Sequence, residues 1–319
     1  MRCFLLLSLL VFLTACTATD DVTHRLFVTN EADGTVTVID SRSLEVVKTV
    51  EVGSRPRGIG FSPDRRLVYV ALGNDNAIGV VDTRSLELVN KIPAGSDPEA
   101  FAVHPNGTIY LSNEDDALAT ALNPATGEIL AEIPVGIEPE GVQVSPDGKL
   151  VVVTSESTNM VHMISVPGHE VVDNILVAAR PREVTFTSDG KTAYVTCEVG
   201  GEVVKLDVEQ RKVVDNLRMR REIRRVKPKG ILLSHDEKTI YVSTGRGNSI
   251  VTLDPSTLEI QKVIPVGRRV WGIALSRDGK RLFSANGLDN NISVVDTEKL
   301  EEIRKIPVGG RPWGVVIDD

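Results

Sequence analysis

The chain has 319 residues, of which 41% are hydrophobic and 25% charged, and this excludes a disordered chain and a multi-span membrane protein. Aromatic residues make up only 4% against 26 Gly and 16 Pro, a mix suited to short strands broken by turns and not to a helical bundle. A formal charge of −8 argues against a general binder of nucleic-acid phosphates.

The first elements along the chain are a signal and a tether. Met1-Arg2 is a short basic start, and Phe4 to Leu13 is an apolar run too short to span a bilayer as a mature helix. The junction Leu13-Thr14-Ala15-Cys16 resembles the bacterial lipoprotein cleavage motif, in which the cysteine is lipidated and becomes the first mature residue. Residues 1–15 are therefore expected to be a lipoprotein signal peptide, and 16–24 a polar tether ahead of a folded domain at 25–319. Thr17, not Asp, follows Cys16, which by resemblance to Gram-negative lipoproteins implies the periplasmic face of the outer membrane. The membrane would be touched only through the lipid. With Cys3 removed and Cys16 lipidated, Cys197 stands alone, so no intrachain disulfide is expected and Cys197 reads as a small buried filler.

From there the chain repeats. A Pro, a variable residue, a Gly or its substitute, an apolar strand and a Ser-Pro-Asp-Gly-like turn recur. The copies begin at Arg55-Pro56-Arg57-Gly58, Asp97-Pro98-Glu99-Ala100, Glu138-Pro139-Glu140-Gly141 and Arg180-Pro181-Arg182-Glu183. They continue at Lys227-Pro228-Lys229-Gly230, Arg269-Val270-Trp271-Gly272 and Arg311-Pro312-Trp313-Gly314. The spacings are 42, 41, 42, 47, 42 and 42 residues. Within each unit, Val, Ile, Tyr and Phe alternate over four short runs bounded by Gly, Pro, Asn and Asp, and no window sustains a helical period. Four strands in 40 to 45 residues is the size of a propeller blade. Arg25 to Val50 supplies three strands without a first, and Pro312 to Asp318 a first strand without successors. The expectation is an all-β, seven-bladed propeller closed by N- and C-terminal strands in one composite blade. A β-sandwich pair does not explain seven evenly spaced anchors.

The second strand of each unit reads Phe27-Val28-Thr29-Asn30, Tyr69-Val70-Ala71-Leu72, Tyr110-Leu111-Ser112-Asn113, Tyr194-Val195-Thr196-Cys197, Tyr241-Val242-Ser243-Thr244 and Phe283-Ser284-Ala285-Asn286. With the Ser-Pro-Asp-Gly-Lys turns, these resemble the YVTN-repeat β-propeller family from about Arg25 to Asp318. Asn113-Glu114-Asp115-Asp116, Ser155-Glu156-Ser157-Thr158-Asn159-Met160 and Pro312-Trp313-Gly314-Val315-Val316, with the anchors of the second, third and sixth units, narrow the resemblance. It is to the β-propeller group associated with PQQ-dependent catabolism, which implies a periplasmic setting beside a quinoprotein alcohol oxidation system and no particular reaction.

Catalytic signatures are absent: there is no His-Glu-x-x-His and no Gly-x-Ser-x-Gly, and Gly190-Lys191-Thr192 lacks the upstream Gly of a P-loop. Of five scattered His, only His162 and His169 are close in sequence, and a turn separates them, so no metal site is assigned. PQQ itself is not expected as a cofactor, because Thr126-Gly127-Glu128 lacks the following Trp of the quinoprotein docking motif.

The residue after each anchor Pro carries the most information: Arg57, Glu99, Glu140, Arg182, Lys229, Trp271 and Trp313. In a propeller this position lies at the channel mouth, and it gathers five charges with both tryptophans. Loops on the same face add Glu31, Glu114, Asp115, Asp116, Glu156 and Glu198; with Asp97, Glu99, Glu138 and Glu140 they make an acidic sector whose composition would suit Ca²⁺, although no EF-hand spacing supports it. The 47-residue spacing holds a basic loop with Arg218, Arg220, Arg221, Arg224 and Arg225, either a solvated surface or a site for an anion or acidic partner.

These features point to a non-enzymatic, monomeric lipoprotein that binds a partner protein or small ligand at the mouth. The partners the resemblance implies are a quinoprotein dehydrogenase system or its cytochrome. The rival is a lactonase-like hydrolase with Glu99 or Glu140 as base and Arg57 or Arg182 as oxyanion stabiliser; a third reading is an envelope assembly scaffold.

Overall fold

The computed structural model describes residues 22–319; the signal and the Cys16 lipidation motif lie outside the described residues. Twenty-eight strands form seven four-stranded antiparallel sheets arranged as a ring. Blades 1 to 6 occupy residues 56–93, 98–134, 139–176, 181–218, 231–265 and 270–307. Blade 7 is composite: Pro312–Asp318 pairs antiparallel with Arg25–Asn30, followed by Thr35–Asp40 and Val46–Glu51. Its closure is latched at the end away from the mouth, where Asp318 accepts hydrogen bonds from the Thr23 backbone N–H (2.7 Å) and hydroxyl (2.8 Å) and pairs with Arg65 of blade 1 at 3.1 Å.

Burial explains the strand patterns. Second and third strands are covered on both faces by neighbouring blades, so they read as nearly continuous apolar runs such as Val68, Val70 and Leu72. Fourth strands form the rim and expose most of their side chains. Seven apolar clusters fill the seven blade junctions; one joins Phe27, Val36 and Val38 of blade 7 to Val68, Val70 and Val81 of blade 1. Cys197 is fully buried in the cluster between blades 3 and 4, and burial pushes its thiol up to about 12, which leaves it unreactive.

The Ser-Pro-Asp turns close first strands onto second strands. In blade 1, Ser62 Oγ donates to Asp64 Oδ1 at 2.6 Å and accepts from the Leu67 N–H, and Ser145–Asp147 and Ser276–Asp278 repeat the arrangement. The Thr or Ser of the YVTN-like strand joins one blade to the next. Thr154 Oγ1 accepts from the Gly141 N–H of its own blade and donates to the Arg182 carbonyl of the next, both at 2.9 Å. Thr29, Ser112, Thr196 and Ser243 do the same, and each fastens the backbone of a mouth residue: Arg57, Glu140, Lys229 or Trp271. Blades 1 and 6 have Ala71 and Ala285 there and lack the bridge.

First strands converge on the axis so tightly that the ring after the mouth residues is almost all glycine. A Cβ on Gly314 would stand 2.6 Å from the Arg57 carbonyl oxygen, and one on Gly272 2.8 Å from that of Trp313. The exceptions are Ala100 and Glu183.

Candidate functional site at the channel mouth

All seven residues singled out after the anchor Pro meet at the mouth, but they are not a wet, charged rim. Glu99 is 0% exposed, and Glu140, Arg182 and Lys229 are also buried. Their charges are paired. Arg57 grips both oxygens of Glu99 and reaches Glu31 at 2.8 Å. Arg182 bonds Glu140 at 2.6 Å and also contacts Glu156. Lys229 donates to Glu198 at 2.8 Å.

Of the residues preceding the anchors, sequence reasoning named Asp97 and Glu138 in the acidic sector but assigned no role to Arg55 or Arg180. Arg55 contacts Asp97 and Glu99 and lies 3.4 Å from Glu114. Arg180 contacts Glu156 and lies 3.5 Å from Glu198. Arg55, Asp97, Glu138, Arg180, Arg269 and Arg311 all take the left-handed backbone conformation, with φ from 42° to 62°. The position is charged in every copy of the anchor, although Lys227 does not share the turn.

Most of the acidic sector is thereby paired: Glu31, Asp97, Glu99, Glu114, Glu140, Glu156 and Glu198 all meet cations. Asp97, Glu99 and Glu114 bring oxygens within 4.8 Å of one another, a spacing a cation could use. Arg55 already stands among the three, so its guanidinium offsets part of their charge from within the protein. The histidines do not converge either: His162 accepts from the Gly136 N–H at 2.9 Å and pairs with Asn174, whereas His169 faces the Tyr110 hydroxyl at 3.3 Å.

Electrostatics follow from burial in this network. Burial, then Glu140, pushes the Glu99 carboxyl above the usual carboxylate range, opposed by Arg57. Burial works against the Arg57 charge, but Glu99, together with Glu140 and Glu31, more than offsets it and holds its pKa above the ordinary value. Burial and the nearby Arg182 push Lys229 down to about 7 despite Glu198. These side chains are held as a unit: removing one partner of such a pair leaves an uncompensated buried charge, typically at a cost of about 3–5 kcal/mol.

Trp271 and Trp313 stack, ring centroids 5.8 Å apart and planes inclined at 26°. Lys229 Nζ lies 3.9 Å from the Trp271 ring centroid, and the Arg269 and Arg182 guanidiniums 4.8 and 5.6 Å from it. Trp313 is only 8% exposed, and its indole N–H is buried without an acceptor. That is a donor with nothing to donate to, on the wall of the channel.

Below the tryptophans the channel narrows to a cavity of about 20 Å³ lined by Glu140, Arg182, Glu183, Lys229 and both Trp, room for one water molecule. Beneath it lies a chamber of about 250 Å³ walled by Ile59, Phe101, Val142, Ile231 and Ile273, with Gln143 and Thr185. Glu183 borders both spaces. One of its oxygens accepts from the Ile231 N–H at 3.1 Å, and no cation pairs with it among the described residues. Burial pushes its carboxyl up to about 7, against the Ile231 N–H and Arg182. The catalytic carboxylates expected for a hydrolase, Glu99 and Glu140, are locked in ion pairs with arginine, so Glu183 is the free carboxyl group here.

Comparisons with known proteins agree on the architecture. The sequence model of the family described as lactonase, 7-bladed beta-propeller, matches residues 174–317, and that of the cytochrome D1 heme domain matches residues 16–107. The chain folds as a seven-bladed β-propeller. Hydrazine synthase of Kuenenia stuttgartiensis superposes with a TM-score of 0.73 at 21% identity, covering 81% of this chain and 88% of that one. A Bacteroides fragilis protein provisionally named a 6-phosphogluconolactonase gives 0.79 at 19%, covering 92% and 98%. The dihydro-heme d1 dehydrogenase NirN, in complex with DHE, gives 0.70 at 18%, covering 92% and 75%. At these identities the likeness is one of fold. No curated protein matches the chain significantly.

The basic loop lies apart from the ion-paired ring. Arg218 pairs with Glu202 at 3.3 Å and Arg220 donates to the Val199 carbonyl, while Arg221, Arg224 and Arg225 are exposed.

Proposed function

We propose that this propeller is a binding protein whose channel mouth takes a small ligand or a projecting group of a partner, in the service of a PQQ-linked alcohol oxidation system. The observation that carries the binding reading is the Trp313 indole N–H, buried without an acceptor beside a stacked Trp271 that three cations approach. Stacked indoles offer large apolar contact area, the orphan N–H asks for an oxygen or nitrogen acceptor, and Lys229 and Arg269 favour a group with negative charge. The PQQ association rests on the YVTN-like strands and the blade-specific residues. The periplasmic, outer-membrane setting rests on Leu13-Thr14-Ala15-Cys16 and Thr17, with the lipid on Cys16 as the only membrane contact.

The indoles are the protein's only two, so their fluorescence reports occupancy of the mouth. Titration with a purified quinoprotein alcohol dehydrogenase or its cytochrome should change that emission saturably. Trp313→Phe, which keeps a ring but removes the donor, should weaken binding by about 1–2 kcal/mol. Binding of either partner with no response from the indoles would move the contact away from the mouth.

A hydrolase remains the second reading, favoured by the lactonase-type match over residues 174–317 and by the unpaired Glu183. In that reading Glu183, and not Glu99 or Glu140, is the base that activates water. Turnover of a simple lactone that Glu183→Gln abolishes would support it; no turnover by the intact protein would remove it.

A further inference from the structure

The five residues added between blades 4 and 5 are built into the core. Met219, Ile223 and Val226 are buried in the cluster shared by blades 4 and 5, so the loop is fastened at three points while its arginines are turned outward. Beside it, the blade 5 turn brings Arg246, and the approach to blade 6 brings Arg268 and Arg269. These residues surround two neighbouring concavities. One, of about 470 Å³, is lined by Arg220, Arg224, Arg225, Lys227 and Arg246 over a floor of Ile223 and Val226. The other, of about 290 Å³, is lined by Arg225, Arg246, Asn248, Arg268, Arg269 and Leu288. Arg225 and Arg246 belong to both.

Elsewhere in this molecule of net charge −8, several arginines find carboxylates, among them Arg55, Arg57, Arg65, Arg180, Arg182 and Arg304, and others such as Arg25, Arg211 and Arg281 bond backbone carbonyls. In the two concavities only Arg268 does, with Asp289 at 2.5 Å. Among the described residues, Arg224, Arg225, Lys227 and Arg246 meet no acidic side chain. Burial, with Arg246 and Arg311 nearby and Glu31 opposing, lowers the pKa of Arg269, so the cations here repel one another. A rigid frame that holds unpaired guanidiniums around a concave surface is arranged to be neutralised from outside.

We propose that the two concavities form one binding groove for a compact anion carrying at least two oxyanion groups, carboxylate or phosphate. Arg225 and Arg246 on the shared wall take the central group by forked N–H donation. Arg224 and Lys227 on one side, and Arg268 and Arg269 on the other, take the flanking group. An extended polyanion is disfavoured by the net negative charge of the whole protein. The groove meets the mouth at Arg269, which lines the one and lies over Trp271 in the other, but it uses neither Trp313 nor Glu183.

The test is calorimetric titration of the purified chain with citrate and, separately, inorganic pyrophosphate at low ionic strength, with acetate as the singly charged control. At least one of the two should bind saturably and more tightly than acetate, with affinity falling as salt rises; which one binds decides between carboxylate and phosphate. Arg225→Ala with Arg246→Ala should weaken that binding at least tenfold, and Arg225→Lys with Arg246→Lys should restore part of it, because charge returns without the fork. Lys149→Ala with Lys238→Ala, exposed lysines on strand-connecting turns, should change nothing. The Lys variant also stands in if the Ala variant does not fold. The proposal falls if neither probe binds, if the control variant weakens binding equally, or if only an acidic protein binds. Arg225 and Arg246 do not line the mouth, so the loss of binding in their variants is distinguishable from a failure of the mouth site.

Discussion

Glu183 occupies a ring position that is glycine in five blades and alanine in another, and it is the only ionisable side chain there. Its carboxyl group sits at about 7 in the fold against 4.5 when free, because burial disfavours the charge. The folded state therefore holds a proton that the unfolded chain has lost between about pH 4.5 and 7. Stability should fall as pH rises through that window and level off above it. Glu183→Gln removes the cost of ionisation. The variant should gain about 1–2 kcal/mol relative to the parent between pH 4 and pH 8, read from urea unfolding at both pH values. Parallel pH dependence in the two proteins would mean that the carboxyl titrates as it does in water. Lys229 behaves in the opposite sense: burial disfavours its charge, so the cost is fully present below about 7 and stability recovers as pH rises from there toward 10.5.

At the scale of the element, the second strand is the structural joint of five of the seven blades. A hydroxyl at its third position accepts from its own first strand and donates to the carbonyl of a mouth residue in the next blade. Thr154→Val keeps the shape and leaves the Gly141 N–H and the Arg182 carbonyl unpaired in a buried place. We expect a loss of about 1–3 kcal/mol by chemical denaturation. Arg182 would also lose its backbone anchor, so the mouth should loosen with the junction. Strands, blade count and composite blade were legible in the sequence because period-two alternation and turn residues are local signals, and the spacing of seven Pro anchors counts the blades. The same anchors placed all seven mouth residues together. Their pairing was not legible, since it depends on which neighbour a long side chain reaches. Arg55 was invisible as the partner of Asp97, Glu99 and Glu114 because 42 to 59 residues separate it from them. Glu183 was written in the anchor but looked like a substitute for glycine, and only the convergence of first strands shows that its side chain must enter the channel. Arg246 and Arg268 likewise carried no motif; the fold brings them beside the basic loop.

For the whole molecule, stability is shared among seven similar junctions and one closure, with no disulfide among the described residues. Deleting residues 312–319 removes the first strand of blade 7, strips Asp318 from Thr23 and Arg65, and exposes the edge of Arg25–Asn30. Trp313 goes with it. The truncated chain should lose cooperative unfolding and aggregate, as seen by calorimetry and light scattering. A melt like that of the intact protein would mean that the ring holds without its latch.

The latch also gives the disc a direction. Each first strand begins at the mouth and runs through the thickness of the ring, so Asp318 lies at the far end from Trp313, and Thr23 bonded to it leaves the fold on that far side. If Cys16 carries lipid, seven residues at most separate the bilayer from that point, a leash of roughly 25 Å fully extended. The disc would then rest close above the lipid with its back toward it. Trp271, Trp313 and the arginine groove would look outward into the compartment, where a diffusing molecule meets them without crossing the headgroups.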